Sequence, residues 1–203
     1  MSAPRQPVAT GRPGRPAAAT REAALALARK RYMAGERVDV QAIARELGLA
    51  RATMHRWFRT RDTLLGELLA ELGEERLAAL RARTAGRGAK ALLESFDKFN
   101  RELAAAPGLR ALLAQEKQRG LRILTSSDGI VQPRMVAAVH AMIEREVAAG
   151  AYEPPAAPDV LAFAVVRLAE AFLYNDTAVG LQADTEKLHQ IEAALLGLAS
   201  PVR

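Results

Sequence analysis

The chain contains no cysteine, few aromatic residues and no long hydrophobic run. The lack of cysteine excludes a disulfide framework and a thiolate nucleophile, and it fits a reducing cytoplasm. No uninterrupted apolar stretch reaches the roughly eighteen residues that a membrane-spanning helix needs, so we expect no membrane partner. Residues 1–19 also lack the apolar centre of a signal peptide. These absences favour a cytoplasmic protein.

Half of the 203 residues are hydrophobic and only 4% are aromatic, so the core must consist mainly of Leu, Ala and Val. Such a composition favours helices, and apolar residues recur at helical spacing between Gly and Pro breaks. We therefore predict an all-α fold. The first expected elements are a helix at residues 20–34, a helix-turn-helix, and a long helix from Thr60 or Asp62 to about residue 82. A Gly-rich break at 87–90 follows, then a helix that Pro107 ends and further helical residues at 109–118. After a loop at 125–129, we expect three helices, near 133–149, 158–175 and 184–198.

The positive charge is concentrated at one end of the chain. Residues 1–63 carry 13 Lys and Arg against 5 Asp and Glu, a net charge of +8, whereas residues 64–203 carry 16 against 18, a net charge of −2. A chain that was merely rich in arginine would spread its charge more evenly, so the N-terminal third predicts a nucleic-acid partner. Membrane-surface binding is the alternative, but the basic segment is not an amphipathic helix with a bulky apolar face.

Residues 40–65 have the pattern of a helix-turn-helix, which fits the major groove of double-stranded DNA. Asp39 can cap a short first helix, and Gly48 supplies the tight turn that follows it. The second helix spans residues 51–58, and its Met54 and Phe58 share one face that can pack inward. The side chains expected to point outward are Arg51, Thr53, His55, Arg56 and Trp57.

These residues resemble the tetracycline-repressor (TetR) family of bacterial regulators. The resemblance rests on Ile43-Ala44, Gly48, Thr53, Trp57-Phe58, Arg61 and Leu64-Leu65. Two positions depart from the family pattern. Ala50 replaces the usual hydroxyl residue that caps the second helix, at a cost of about 1 kcal/mol. His55 replaces a Tyr that contacts phosphate in family members, and a protonated His could take over that contact near neutral pH.

The resemblance implies a set of DNA contacts. We expect Arg51 and Arg56 to reach base edges, and Thr53, His55, Trp57 and Arg61 to position phosphates. In front of the helix-turn-helix, residues 11–16 repeat a Gly-Arg-Pro triplet in an arm with almost no apolar bulk. Arg12 and Arg15 of this repeat resemble hooks that enter the minor groove, although a plain flexible tail has the same composition.

The second part of the chain has an unusually apolar helix at residues 160–174, in which only Arg167 and Glu170 are charged. A helix without a polar face must be covered on both sides, either within a large core or by core on one side and another subunit on the other. In the TetR family the last two long helices form a dimer interface, and the apolar centre of the second domain holds a small-molecule pocket. We therefore expect a homodimer, with recognition helices about 34 Å apart on a roughly palindromic operator.

The candidate ligand residues are the bulky and polar side chains on the helices that should surround this pocket. They are Phe96, Phe99, Met142, Phe163, Phe172 and Tyr174, together with Arg167, Glu170 and Asn175. A Met and Phe stripe is more often plain core, and Arg167 and Glu170, three residues apart, could instead form an ion pair. The segment 172–176, with Gly180, Asp184 and Leu195-Leu196-Gly197, resembles QsdR-type members of the family, which are associated with lactone degradation and quorum quenching. This resemblance implies a lactone with an aliphatic tail.

The sequence thus predicts a flexible basic arm at 1–19, a helix-turn-helix domain at 20–66 and a helical ligand-binding and dimerisation domain at 67–203. The expected function is a ligand-responsive repressor released by a small apolar effector. An activator of the same fold and an architectural DNA binder are the alternatives. An enzyme is disfavoured because His140 and His189 stand alone, and because no metal cluster, nucleophile elbow or complete phosphate loop appears. We expect no metal and no cofactor.

Overall fold

The computed structural model describes residues 20–174 and 184–198 of the chain. Within these ranges it contains nine α-helices and no strand, as the sequence predicts. The helices are α1 (Arg21–Met33), α2 (Val40–Glu46), α3 (Arg51–Phe58), α4 (Arg61–Arg83), α5 (Gly88–Ala105), α6 (Pro107–Thr125), α7 (Val131–Ala148), α8 (Pro158–Tyr174) and α9 (Thr185–Leu195). None of the helices in the described ranges is long and apolar enough to cross a membrane.

Local capping residues define the first four helices. The side chain of Thr20 accepts a hydrogen bond from the first turn of α1, and Asp39 accepts two from the first turn of α2 at 2.7 and 3.0 Å. Gly48 has φ +63° in the turn between α2 and α3, a conformation that suits glycine. Ala50 makes no side-chain cap to α3, and Thr60 caps α4. Helix α3 has the bounds predicted for the second helix of the helix-turn-helix, residues 51–58.

Two apolar cores lie along the molecule. The first packs α1, α2, α3 and the start of α4 around Ile43, Met54 and Phe58, and it continues into α6 and the end of α8. The second lies between α4, α5, α7 and α8, around Leu92 and Ile143. Helix α4 contributes buried leucines to both cores. It is therefore a continuous mechanical connection between the three-helix unit α1–α3 and the helices that follow.

The end of α1 also packs closely against the start of α6. A Cβ atom on Gly108 would overlap the backbone oxygen of Tyr32 and lie 2.8 Å from the Tyr32 ring. Only glycine leaves room for this approach, so the contact fixes the three-helix unit against α6 at a second point, separate from α4.

Two predicted helix boundaries are wrong. The Gly-rich break lies before Gly88 instead of at 87–90, because the carboxylate of Glu146 accepts a hydrogen bond from the Gly88 N–H at 2.8 Å and caps α5 from across the fold. Pro107 begins α6 instead of only ending α5, as its missing N–H allows at a first helical position. Helix α6 then continues to Thr125, with a non-helical break at Glu116 (φ −142°, ψ 50°).

Gly108→Ala is expected to lower the free energy of unfolding by about 1–3 kcal/mol, because the added methyl group meets backbone that cannot move aside cheaply. Gly73→Ala is the control: its Cβ would meet the thioether of Met135 at 2.7 Å, the end of a flexible side chain. Urea unfolding at equal protein concentration compares the two variants. Equal losses would contradict the close packing of α1 on α6.

Candidate DNA interface and cavity

Helix α3 presents a basic outer face. Met54 and Phe58 are buried in the first core and fix the rotation of the helix, so that Arg51, His55 and Arg56 are exposed and Thr53 is half-buried. Arg51, His55 and Arg56 are thus exposed as the spacing predicts, whereas Thr53, which was also expected to point outward, is only partly accessible. The exposed arginines of this face are free to meet an anionic partner.

Two further arginines extend this face. Arg45 on α2 and Arg59 directly after α3 are exposed, and within residues 20–174 and 184–198 neither forms an ion pair. Arg59 has φ +55°, and its N–H donates to the carbonyl oxygen of His55 at 2.8 Å, which closes the helix. Neither residue was predicted as a DNA contact, although the local excess of positive charge already included both.

Trp57 differs from the prediction of an outward-pointing side chain. It is half-buried, packs against the first core, and meets the Phe58 ring edge to face with a centroid distance of 6.4 Å. Part of the indole is therefore used for packing α3 onto the three-helix unit, and only its remaining surface is available to a partner.

Arg61 also lies in an environment that the sequence did not predict. Its two terminal nitrogens donate to the Glu116 carboxylate at 2.6 and 2.8 Å, and its Nε donates to the Val38 carbonyl oxygen. The Arg61 side chain is only 15% exposed. Hydrogen bonds from Arg61 hold the pKa of Glu116 well below its usual range, at about 2. Arg61 thus joins the three-helix unit to α6, and the expected phosphate contact does not fit this geometry.

A cavity of about 610 Å³ lies between the three-helix unit and helices α4 to α9. Its size is within the range of small-molecule sites. Most of the wall is apolar, and it includes Leu69, Leu72, Phe96, Phe99, Leu103, Leu109, Leu124, Met135, Val139, Val165, Val166, Ala169 and Leu173. Charged side chains from α1, α4 and α5 line its outer part, among them the pair Arg76 and Glu102.

Four of the predicted ligand residues line this cavity: Phe96, Phe99, Glu170 and Tyr174. Four others do not line it. Met142 belongs to the second core, Phe172 is buried in the first core, and Phe163 and Arg167 lie on the exposed side of α8. Arg12, Arg15 and Asn175 lie outside the described residues.

The Glu170 carboxylate in the cavity wall has polar partners. Gln132 donates through Nε2 to both carboxylate oxygens of Glu170 at 3.1 and 3.2 Å, and Arg167 donates to Glu170 at 2.8 Å. The pKa of Glu170 is raised, because burial outweighs these hydrogen bonds. Of the two roles considered for Arg167 and Glu170, ligand contacts or an ion pair within the helix, the structure shows the ion pair.

A second polar pair was not predicted. Asn100 donates through Nδ2 to the two oxygens of Glu192 at 3.0 and 3.2 Å, and Glu192 has no exposed surface. Burial raises the pKa of Glu192 to about 8. Helical spacing could have shown that Glu192 is buried, since it lies four residues from both Leu188 and Leu196 on the apolar side of the last helix.

Comparisons with known proteins agree with this architecture. Residues 87–197, more than half of the chain, match the family model described as the tetracyclin repressor-like C-terminal domain. The chain belongs to the TetR family of transcriptional regulators. It is a DNA-binding regulator with an N-terminal DNA-binding part and a C-terminal helical part, and proteins of the TetR family are generally not enzymes.

Two solved TetR-family structures are similar to this chain. The transcriptional repressor QsdR from R. erythropolis has 28% sequence identity and a TM-score of 0.81, with 90% of this chain and 97% of that chain covered. The TetR family transcriptional regulator PfmR from Thermus thermophilus has 18% identity and a TM-score of 0.44, with 89% and 99% covered. No curated protein sequence matches this chain significantly.

The raised pKa of Glu192 should make the stability of this TetR-family protein depend on pH. The folded chain keeps the Glu192 proton up to about pH 8, whereas the unfolded chain loses it near 4.5. The contribution of Glu192 to the free energy of unfolding is therefore complete below pH 4.5. It is lost as the pH rises from 4.5 towards 8, by at most about 1.4 kcal/mol per pH unit. Glu192→Gln cannot ionise, so its stability relative to wild type should increase between pH 5 and pH 8.

Thermal unfolding at several pH values measures this difference. Glu186→Gln, on the exposed side of the same helix, is the control, and its unfolding temperature should differ from that of the wild type by a nearly constant amount at all pH values. A constant difference for Glu192→Gln as well would show that Glu192 is ionised in the folded protein at neutral pH.

Proposed function

We propose that this regulator is a homodimeric repressor that binds a palindromic operator and releases it when a small apolar effector fills the cavity. The observation that carries this proposal is the apolar cavity of about 610 Å³, whose wall includes residues from both the three-helix unit and the helices that follow it. A molecule bound there contacts both parts of the protein. It can therefore favour one arrangement of the two parts over another.

The DNA-binding role proposed for α3 follows from its exposed basic face. Arg51 and Arg56 are assigned to base edges in the major groove, and Thr53, His55 and the accessible part of Trp57 to phosphates. We add Arg45 and Arg59 as phosphate contacts in place of Arg61. Arg12 and Arg15 remain proposed minor-groove contacts.

The homodimer is supported by apolar side chains on the outer surface of the last two helices. Val160 and Phe163 on α8 are 58% and 52% exposed, and Ile191 on α9 is 39% exposed. Large apolar groups rarely cluster on a free surface without a partner. A second copy packed against α8 and α9 would cover them and place two recognition helices on one duplex.

The effector class proposed from the QsdR-type resemblance is a lactone with an aliphatic tail. The wall of leucine, valine and alanine supports this choice, because it offers apolar surface to a flexible hydrocarbon chain. Repression is relieved only if the lactone binds the DNA-incompetent arrangement more tightly than the DNA-bound one. A regulator of this kind would suit the control of quorum-quenching genes.

The first experiment is fluorescence anisotropy with a labelled duplex from upstream of the gene and a scrambled duplex, at fixed moderate salt, with aliphatic lactones titrated in. Selective binding that a lactone releases supports the proposal. Selective binding without release leaves a regulator with a different effector, and equal binding to both duplexes favours an architectural DNA binder. A promoter reporter distinguishes repression from activation by the sign of its response.

Arg56→Ala is expected to weaken binding to the specific duplex by about tenfold, because a base contact by arginine contributes roughly 1–3 kcal/mol. Arg110→Ala removes the same charge from an exposed position on α6 and is the control, with little change expected. The same anisotropy assay measures both. Equal effects of the two variants would mean that the affinity reflects net charge alone.

Phe163→Glu should convert the dimer to a monomer, since the new carboxylate would be buried without a partner in the proposed interface. Ala114→Glu, on the exposed face of α6, places the same charge outside that interface. Sedimentation velocity at micromolar concentration determines both masses. A dimeric Phe163→Glu protein would contradict an interface through α8.

A further inference from the structure

The first helix of the DNA-binding part forms one wall of the cavity. Arg29, Tyr32 and Met33 of α1 all line it. Tyr32 is buried, whereas Met33 is exposed at the outer part of the cavity. A bound molecule therefore touches the DNA-binding part itself, in addition to the helices that enclose the rest of the cavity.

One end of the cavity brings two phenols together. Tyr32 comes from α1 and Tyr174 from the last turn of α8, and both line the cavity. Burial raises the pKa of the Tyr174 phenol, and the nearby Glu170 and Tyr32 raise it further. Burial also raises the pKa of the Tyr32 phenol. Both hydroxyl groups therefore keep their protons at neutral pH and can donate hydrogen bonds.

The two buried carboxyl groups of the wall, Glu170 and Glu192, are already engaged. Gln132 and Arg167 hold Glu170, and Asn100 holds Glu192, which is fully enclosed. Because Arg167 neutralises Glu170, this end has little net charge to attract either a cation or an anion. The arrangement suits a neutral group that accepts hydrogen bonds.

We propose that Tyr32 and Tyr174 bind the polar head of the effector, a neutral ester or ketone oxygen, while its aliphatic tail lies against the apolar wall. This proposal rests on the effector response proposed above, and it assigns the residues that recognise the head. It also makes Tyr32 a direct contact between the effector and the DNA-binding part.

A ligand contact with Tyr32 can move α1 because the Tyr32 backbone is itself tightly packed. The backbone of Tyr32 packs against Gly108 at the start of α6, and α1 is anchored in the first core through Ala24 and Ala28. A shift of the Tyr32 side chain therefore acts on α1 as a whole, and through it on α2 and α3. The signal does not have to pass through α4.

The test uses the full-length protein, γ-dodecalactone as the probe, and the variants Tyr32→Phe and Tyr174→Phe. Each variant keeps the ring and its packing but loses the hydroxyl group. Tyr152→Phe is the matched control, because the Tyr152 hydroxyl donates to the Leu196 carbonyl oxygen away from the cavity. Isothermal titration calorimetry gives the dissociation constant of the lactone, and anisotropy gives the concentration that releases half of the DNA.

The dissociation constant should rise about three- to tenfold for Tyr32→Phe and Tyr174→Phe, as expected for one lost hydrogen bond, and should not change for Tyr152→Phe. Tyr32→Phe should also release less DNA than Tyr174→Phe at equal lactone occupancy. Dodecanoate and dodecylammonium, below their micelle concentrations, should bind more weakly than the lactone. Unfolding temperatures confirm that the variants are folded.

Three results would overturn the proposal in distinguishable ways. Wild-type affinity in both phenol variants would exclude the phenols as the head-group site while leaving the effector response intact. Tighter binding of dodecanoate or dodecylammonium would overturn the neutral head group. A wild-type protein that does not bind γ-dodecalactone would overturn the lactone class itself, and this proposal with it.

Discussion

The position of the DNA-binding part depends on the Arg61–Glu116 ion pair. Both side chains are largely buried, and the guanidinium group binds the carboxylate through two hydrogen bonds while it also binds the backbone before α2. Loss of Glu116 would leave the largely buried Arg61 guanidinium without a carboxylate partner, which is destabilising. The pair forms at the one residue where α6 departs from helical geometry. The cavity keeps its α1 wall only while this connection and the Tyr32–Gly108 contact hold α1 against α6.

The cavity combines an apolar wall with polar groups that are satisfied in pairs. Glu170 and Glu192 would be costly to bury alone, and each is held by an amide side chain from a neighbouring helix. These pairs connect α7 with α8 and α5 with α9. These two polar pairs therefore fix how the C-terminal helices pack around the cavity. Aliphatic side chains alone would allow several packing arrangements.

Local residues were enough to predict the helix-turn-helix, because Asp39, Gly48 and the spacing of Met54 and Phe58 act within a few residues of each other. The all-α fold followed from composition and periodicity. The partner of Arg61 could not be predicted, since Glu116 lies 55 residues away in the sequence. Helix α8 is apolar nearly all round, so its periodicity could not show that Glu170 and Tyr174 face the cavity while Phe163 faces outward. Similarly, nothing near Gly88 indicates that Glu146 caps it.

The shared wall of the cavity limits how modular this regulator can be. A chimera that joined a foreign DNA-binding part at residue 66 would replace α1, and with it Tyr32 and Met33, so the sensor half would lose part of its own binding site. Natural variation in α1 would likewise alter effector preference and DNA recognition together. Changes of specificity that leave operator binding untouched are therefore expected on the opposite wall, around Phe96 and Phe99 of α5.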